Sequence, residues 1–105
     1  IQPGEFWIAD IPFPNAAASK RRPVLVGLDG RDLVAAAVTT AEPRTPYDVP
    51  LTDWSSSGLR RASTVRLSRL DCLEQSLLVA RVGAISSADG GSVRQAWARY
   101  VRPQF

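Results

Sequence analysis

Apolar positions along this chain recur mostly at short range, and that pattern predicts strands before it predicts anything else. Pro3-Gly4-Glu5 leads into Phe6-Trp7-Ile8-Ala9-Asp10, a first strand-like run. Pro12-Phe13-Pro14 and Ala16-Ala17-Ala18-Ser19 then read as a small-residue loop. From Arg22 to Leu28 the chain is nearly all apolar and rich in β-branched residues, which predicts a buried central strand. Asp29-Gly30 is a hairpin turn signal, and Leu33 to Thr40 returns along the previous strand. Antiparallel neighbours set the start of one strand beside the end of the next, so Arg22 and Thr39 are expected close together. Ala41 to Pro46 is a loop, and Tyr47 to Leu51 a short strand. Asp53 to Gly58 fits one helical turn. Ala62 to Val65 and Arg66 to Leu70 fit a strand that bends, and Leu77 to Val82 a further strand.

The period changes at the end of the chain. Ser86 and Asp89 have the spacing of a capping box, and Val93, Ala96, Trp97, Tyr100 and Val101 fall on one helical face. A helix over Ser87 to Val101, covering the sheet with its Trp97 side, is therefore expected. Gly90 and Gly91 weaken its first turn by ~1 kcal/mol each relative to Ala. Several short strands and one terminal helix predict a mainly β fold: a small, strongly curved barrel with a C-terminal α-helix. No repeat and no linker divides the chain, so residues 1–105 read as a single domain.

Composition narrows the classes of function. With 45% apolar and 22% charged residues the chain is not of the disordered class. No apolar run approaches the ~20 residues of a membrane span, and no charged-then-apolar leader precedes a cleavage site. A single cysteine, Cys72, forms no internal disulfide and suits a reducing compartment, so a cytoplasmic location is expected. Beside Leu70 and Leu73, Cys72 itself reads as a small buried hydrophobe. The net charge is only +3, but twelve of the thirteen cations are arginine, whose planar fork of donors suits phosphate. A GC-rich genome would produce the same excess. There is no histidine, which excludes zinc-hydrolase motifs, Ser-His-Asp triads and a paired-histidine ribonuclease mechanism. Any chemistry here falls to Arg, Lys, carboxylates and hydroxyls, and neither a metal nor a cofactor is expected.

Arg22 is the first candidate for that chemistry. Pro23 restricts the backbone of Arg22 to an extended shape, and Lys20 and Arg21 add charge that gathers phosphate nearby. Thr39 and Thr40 end the partner strand. Successive strand residues face opposite sides, so at most one of these hydroxyls faces Arg22. Ser63 and Thr64 form a second hydroxyl pair. Phe13, Tyr47 and Trp54 lie in or near loops, where aromatic rings beside arginine can stack on the bases of single-stranded RNA, although loop aromatics also cap core edges. The carboxylates Asp10 and Asp48 are scattered, giving no pair for glycoside-type hydrolysis, and Gly90-Gly91 does not follow a strand as a phosphate loop would.

Taken in order, Pro3-Gly4-Glu5-Phe6-Trp7, Pro12-Phe13, Lys20-Arg21-Arg22-Pro23-Val24-Leu25-Val26 and Val38-Thr39-Thr40 resemble the MazF/PemK family of toxins from bacterial type II toxin–antitoxin modules. The resemblance continues through Tyr47-Asp48-Val49-Pro50-Leu51, Trp54, Gly58-Leu59, Ser63-Thr64-Val65-Arg66-Leu67, Leu73-Glu74-Gln75-Ser76-Leu77 and Gly83-Ala84-Ile85-Ser86, and so spans nearly the whole chain. It implies an SH3-like barrel of the CcdB/MazF/PemK type and a homodimer. It also implies sequence-specific, metal-independent cleavage of single-stranded RNA and a cognate antitoxin partner. By that resemblance Arg22 and Thr39 are the catalytic pair. The reaction would be attack of the ribose 2′-oxygen on phosphorus, leaving a 2′,3′-cyclic phosphate and a 5′-hydroxyl. Lys20, Arg21, Phe13, Thr40, Tyr47, Ser63 and Thr64 are the candidates for holding RNA. The chain departs from many relatives at Ala16 to Ser19, and at Arg69 and Asp71. The same fold also resembles CcdB-type toxins, which bind DNA gyrase without cleaving anything; a non-catalytic RNA-binding barrel is a third reading.

Overall fold

The computed structural model describes residues 1–12, 18–30 and 32–105 of the chain. Its strands are β1 (Glu5–Pro12), β2 (Ser19–Asp29), β3 (Leu33–Thr39), β4 (Asp48–Pro50), β5 (Thr64–Leu73) and β6 (Leu78–Ala84). They form one antiparallel sheet in the order β4-β5-β3-β2-β1-β6. A 3-10 turn at Gln75–Leu77 precedes β6, and the helix α1 (Ser87–Tyr100) ends the fold. No described helix is long and apolar enough to cross a membrane.

The mainly β fold with its C-terminal helix is the expected one, but the ladder stays open, with β4 and β6 at its edges. The loop between β4 and β5 spans the gap by packing rather than by strand pairing. Gly58, at φ +92°, lies against the Val82 carbonyl of β6, and Gly83 of β6 lies against the Ser57 carbonyl. A Cβ at either position would overlap those backbone atoms, so the close approach requires glycine on both sides.

Alternation sorts the apolar residues onto two sides of the sheet. Phe6, Leu25, Ala36, Val65 and Leu67 face one way and pack with Val93 of α1. Ala9, Val24, Val26, Leu33, Ala35 and Leu73 face the other. β2 thus has core on both sides, which is why its sequence is a continuous apolar run rather than an alternating one. Phe6 is completely buried, and truncating such a side chain to Ala costs about 3–5 kcal/mol.

Some expectations shift in detail. β2 begins at Ser19 rather than Arg22, because Ser19 to Pro23 pair with β1 although they make no ladder pairs with β3. Asp29 pairs with Leu33, so the β2–β3 connection is residues 30–32, of which Arg31 lies outside the described residues. Leu28 is exposed, because the ladder shifts register between Val26 and Leu28. β5 bends as expected: Ala36 pairs with Leu70 while Ala37 pairs with Arg66. Cys72 is exposed rather than buried, since it points away from the side on which Leu73 enters the core. Asp53 to Gly58 is a turn with one helix-like bond, from Ser57 N–H to the Asp53 carbonyl, at 3.1 Å.

The Ser86 hydroxyl caps α1 as expected, accepting from Asp89 N–H at 3.1 Å. The Asp89 side chain does not complete a capping box. It accepts instead from Thr52 N–H (3.0 Å), the Thr52 hydroxyl (2.9 Å) and Asp53 N–H (2.8 Å), tying the β4–β5 loop to the helix. The Ser86 hydroxyl in turn donates to the Asp53 carboxylate at 2.7 Å.

Candidate active site

The pairing of β2 and β3 ends at Val24 opposite Ala37, and continuing that register brings Arg22 opposite Thr39. On the other side of β3, Ala37 pairs with Arg66 and Thr39 with Thr64; beyond β5, Arg66 pairs with Asp48 and Thr64 with Pro50. Two cross-strand rows therefore lie side by side on the sheet surface away from α1. One runs Val24, Ala37, Arg66, Asp48, and the other runs Arg22, Thr39, Thr64, Pro50. Directly opposed residues share a face, so these rows bring side chains from four strands together.

The rows open into a cleft of about 420 Å³ whose lining includes Lys20, Arg22, Thr39, Arg66, Arg69 and Asp71. Four of those side chains are cations and one is a carboxylate. Among the described residues Lys20, Arg22 and Arg69 have no carboxylate within ion-pair distance. The unpaired charge makes the cleft attractive to anions. The Thr39 hydroxyl oxygen accepts from Ala41 N–H at 3.1 Å, which fixes the oxygen and leaves its proton free to donate.

Arg66 is held from behind. Its Nε lies 3.4 Å from Asp48 Oδ1, and the Asp48 side chain is only 3% exposed. Asp48 Oδ2 accepts from Arg44 N–H at 2.8 Å, while Oδ1 and the Arg66 Nη2 have no hydrogen-bond partner. Among the described residues no group of three or more His, Cys, Asp or Glu side chains gathers as a metal site.

A family model described as PemK-like, MazF-like toxin of type II toxin–antitoxin systems matches residues 2–101. The chain belongs to that family. No curated protein matches it. Among solved structures, it is similar to an endoribonuclease in complex with its cognate antitoxin from a mycobacterial species: TM-score 0.79, 19% identity, covering 96% of this chain and 94% of that one. It is also similar to MazF from Deinococcus radiodurans, with TM-score 0.71, 18% identity and 96% coverage of both chains. The Mycobacterium tuberculosis toxin MazF-mt6 aligns with TM-score 0.67 and 19% identity over 89% of this chain and 93% of that one. At such identities the likeness establishes the fold alone.

In this PemK/MazF-like toxin the residues singled out by sequence separate into groups. Lys20, Arg22 and Thr39 line the cleft together. Arg21 alternates to the opposite side of β2, pairs with Asp10 in the ladder and is exposed there. Thr40 and Ser63 line a second groove instead, and the Ser63 hydroxyl donates to the Arg61 carbonyl at 2.8 Å. Thr64 is buried beside Thr39. Tyr47 is part of the core edge, its ring 5.3 Å from that of Tyr100, and Trp54 packs against the same cluster. Phe13 lies outside the described residues. Arg66 was not among the sequence candidates. The signal for it was present, since Arg66 between Val65 and Leu67 must point away from the core that those two enter.

Proposed function

We propose that this toxin is a metal-independent endoribonuclease that cleaves single-stranded RNA, with Arg22 and Thr39 as the catalytic pair. Family membership supports the reading, as do the endoribonucleases among its structural neighbours. The observation that carries it is the joint presence of Arg22 and Thr39, from adjacent strands, in one cleft with three further cations and one carboxylate.

The ribose 2′-oxygen attacks the adjacent phosphorus, the bond from phosphorus to the 5′-oxygen breaks, and a 2′,3′-cyclic phosphate and a 5′-hydroxyl end result. The proton of the 2′-hydroxyl leaves, and one is delivered to the departing oxygen. Arg22 stays protonated at any ordinary pH, so its role is to neutralise charge on the phosphorane. Thr39 donates a hydrogen bond to a phosphoryl oxygen. Arg66, Lys20 and Arg69 hold the flanking backbone, and Asp71 is the group in the cleft able to take the 2′-proton.

The toxin acts in the cytoplasm as a homodimer restrained by a cognate antitoxin. Structural neighbours solved with their antitoxins support that partner. Light scattering of the purified protein reads the dimer directly.

The test is cleavage of total RNA in EDTA, with product ends mapped. Cyclic-phosphate ends, and their loss in Arg22→Ala, are expected. Intact RNA with wild-type protein, or equal cutting by the variant, would overturn the assignment.

A further inference from the structure

A second groove, of about 570 Å³, adjoins the first. Pro23 lines both. The step from Thr39 to Thr40 leads from one to the other, since Thr39 lines the first cleft and Thr40 the second. β3 ends at Thr39, so no strand covers β2 at this corner. The second groove has an apolar floor that includes Ile8, Pro23 and Ala80, with Arg60, Arg61 and Arg81 around it.

Those three arginines are not equivalent. Arg81 is committed to Glu5, with Nε and Oε2 2.5 Å apart. Arg60 and Arg61 are exposed, and among the described residues neither has a carboxylate within ion-pair distance. Their backbone is nevertheless held at both ends. Leu59 is buried in the core and its N–H donates to the Trp54 carbonyl at 3.1 Å. Ser63 is buried, its hydroxyl bonds the Arg61 carbonyl, and its own carbonyl accepts from Leu51 N–H at 3.0 Å. Two free guanidinium groups thus project from a short, anchored segment beside an apolar floor. Guanidinium for phosphate and an apolar surface for ribose and base are the combination that single-stranded nucleic acid uses.

We propose that the groove bounded by Arg60 and Arg61 is a second RNA-binding subsite, which takes the backbone of the same strand as it leaves the Arg22 cleft over the Thr39–Thr40 corner. This rests on the endoribonuclease reading for the identity of the ligand. The subsite adds affinity for longer RNA and takes no part in the chemical step.

The experiment uses two RNAs carrying a mapped cleavage site, one of about 12 nucleotides and one trimmed to about three. Each is also made with a 2′-deoxy sugar at the scissile nucleotide, which removes the attacking oxygen and allows binding to be measured alone. For Arg60→Ala/Arg61→Ala, affinity for the long deoxy RNA falls on the order of tenfold. The slope of its log affinity against log salt is shallower by ~1.4, about 0.7 for each phosphate no longer neutralised. Cleavage of the short RNA is unchanged. Wild-type affinity and slope on the long RNA would overturn the proposal, whether or not the variant binds an acidic peptide less tightly. An equal loss on the short RNA would overturn it too, because it would place the arginines in the catalytic cleft. The deoxy probe reads the groove independently of cleavage, so failure of the nuclease reading shows up separately, as intact all-ribose RNA with wild-type protein.

Discussion

Two buried carboxylates on opposite sides of the sheet are built differently. Asp89 sits at the helix side, only 3% exposed, and three donors from Thr52 and Asp53 satisfy it. Asp48 sits behind the Arg22 cleft, 8% exposed, with one oxygen on Arg44 N–H and the other without a hydrogen bond, facing Arg66. A complete set of partners fixes one conformation and serves the fold. An incomplete set leaves Arg66 with unspent hydrogen-bonding capacity beside a cleft that gathers anions. The difference teaches where stability and function separate in this small sheet. The helix side is closed and tied, and the cleft side is held in place but not saturated.

The largest expected effect comes from the cleft. Arg22→Ala should lower the cleavage rate by ~10²–10³. Its melting temperature should stay that of the wild type, because Arg22 is exposed and has no ion-pair partner among the described residues. A matching fall in melting temperature would erase the proposed separation. The opposite pattern is expected from Asp89→Ala. It leaves the part-buried donors at Thr52 and Asp53 without their acceptor, at a cost of about 2 kcal/mol, or roughly 10 °C in melting temperature. Activity per folded molecule should be unchanged when measured well below that temperature.

How much of this could be read from the sequence depended on the range of the interaction. The strand order along the chain, the Arg22–Thr39 juxtaposition and the Ser86 cap follow from alternation, antiparallel geometry and a four-residue motif, all of which are local. Asp89 fits a capping box by spacing, yet its side chain is claimed by Thr52 and Asp53, more than thirty residues away. Nothing local could have shown that. The open ladder was hidden for the same reason, since the approach of Gly58 and Gly83 to backbone carbonyls is visible only in three dimensions. Arg66 is the opposite case. Its place opposite the core side of β5 was legible from Val65 and Leu67, but a charged residue in a strand is ordinarily just a solvated one.

Asp48→Asn sharpens the comparison at intermediate size. The amide oxygen can still accept from Arg44 N–H, so only the charge facing Arg66 is lost. Arg66 is 21% exposed and can turn to water, so the cost is roughly 1–2 kcal/mol, less than for a fully buried pair. If Arg66 acts on RNA only when Asp48 holds it, the cleavage rate should fall about tenfold, mainly in kcat/KM. Arg66→Lys should reproduce the loss, since a point charge cannot replace the fork. A normal rate in both variants would make Asp48 structural, like Asp89, and the comparison would collapse.

The smallest effect is in acid, and its sign can be worked out. Burial on its own raises the Asp89 carboxyl, but the N–H groups of Thr52 and Asp53 outweigh it and hold the group below its ordinary value. A carboxyl depressed in the folded state contributes stability that is complete above the unfolded pKa. That contribution is lost as pH falls through the folded value. Glu5 behaves likewise: the Arg81 guanidinium, then Gln2 N–H, bring its carboxyl from 4.5 down to about 2, so its contribution disappears between those values. The two should differ in their response to salt. Asp89 is itself only 3% exposed, whereas Arg81 is half exposed and its pairing with Glu5 is screened. In melting curves between about pH 2 and pH 6, Asp89→Asn should flatten the acid limb equally at low and high salt. Glu5→Gln should flatten it slightly, and only at low salt. Equal salt sensitivity in both variants would mean that Asp89 is wetter than its hydrogen bonds imply, and the closed side of the molecule would lose its claim to be closed.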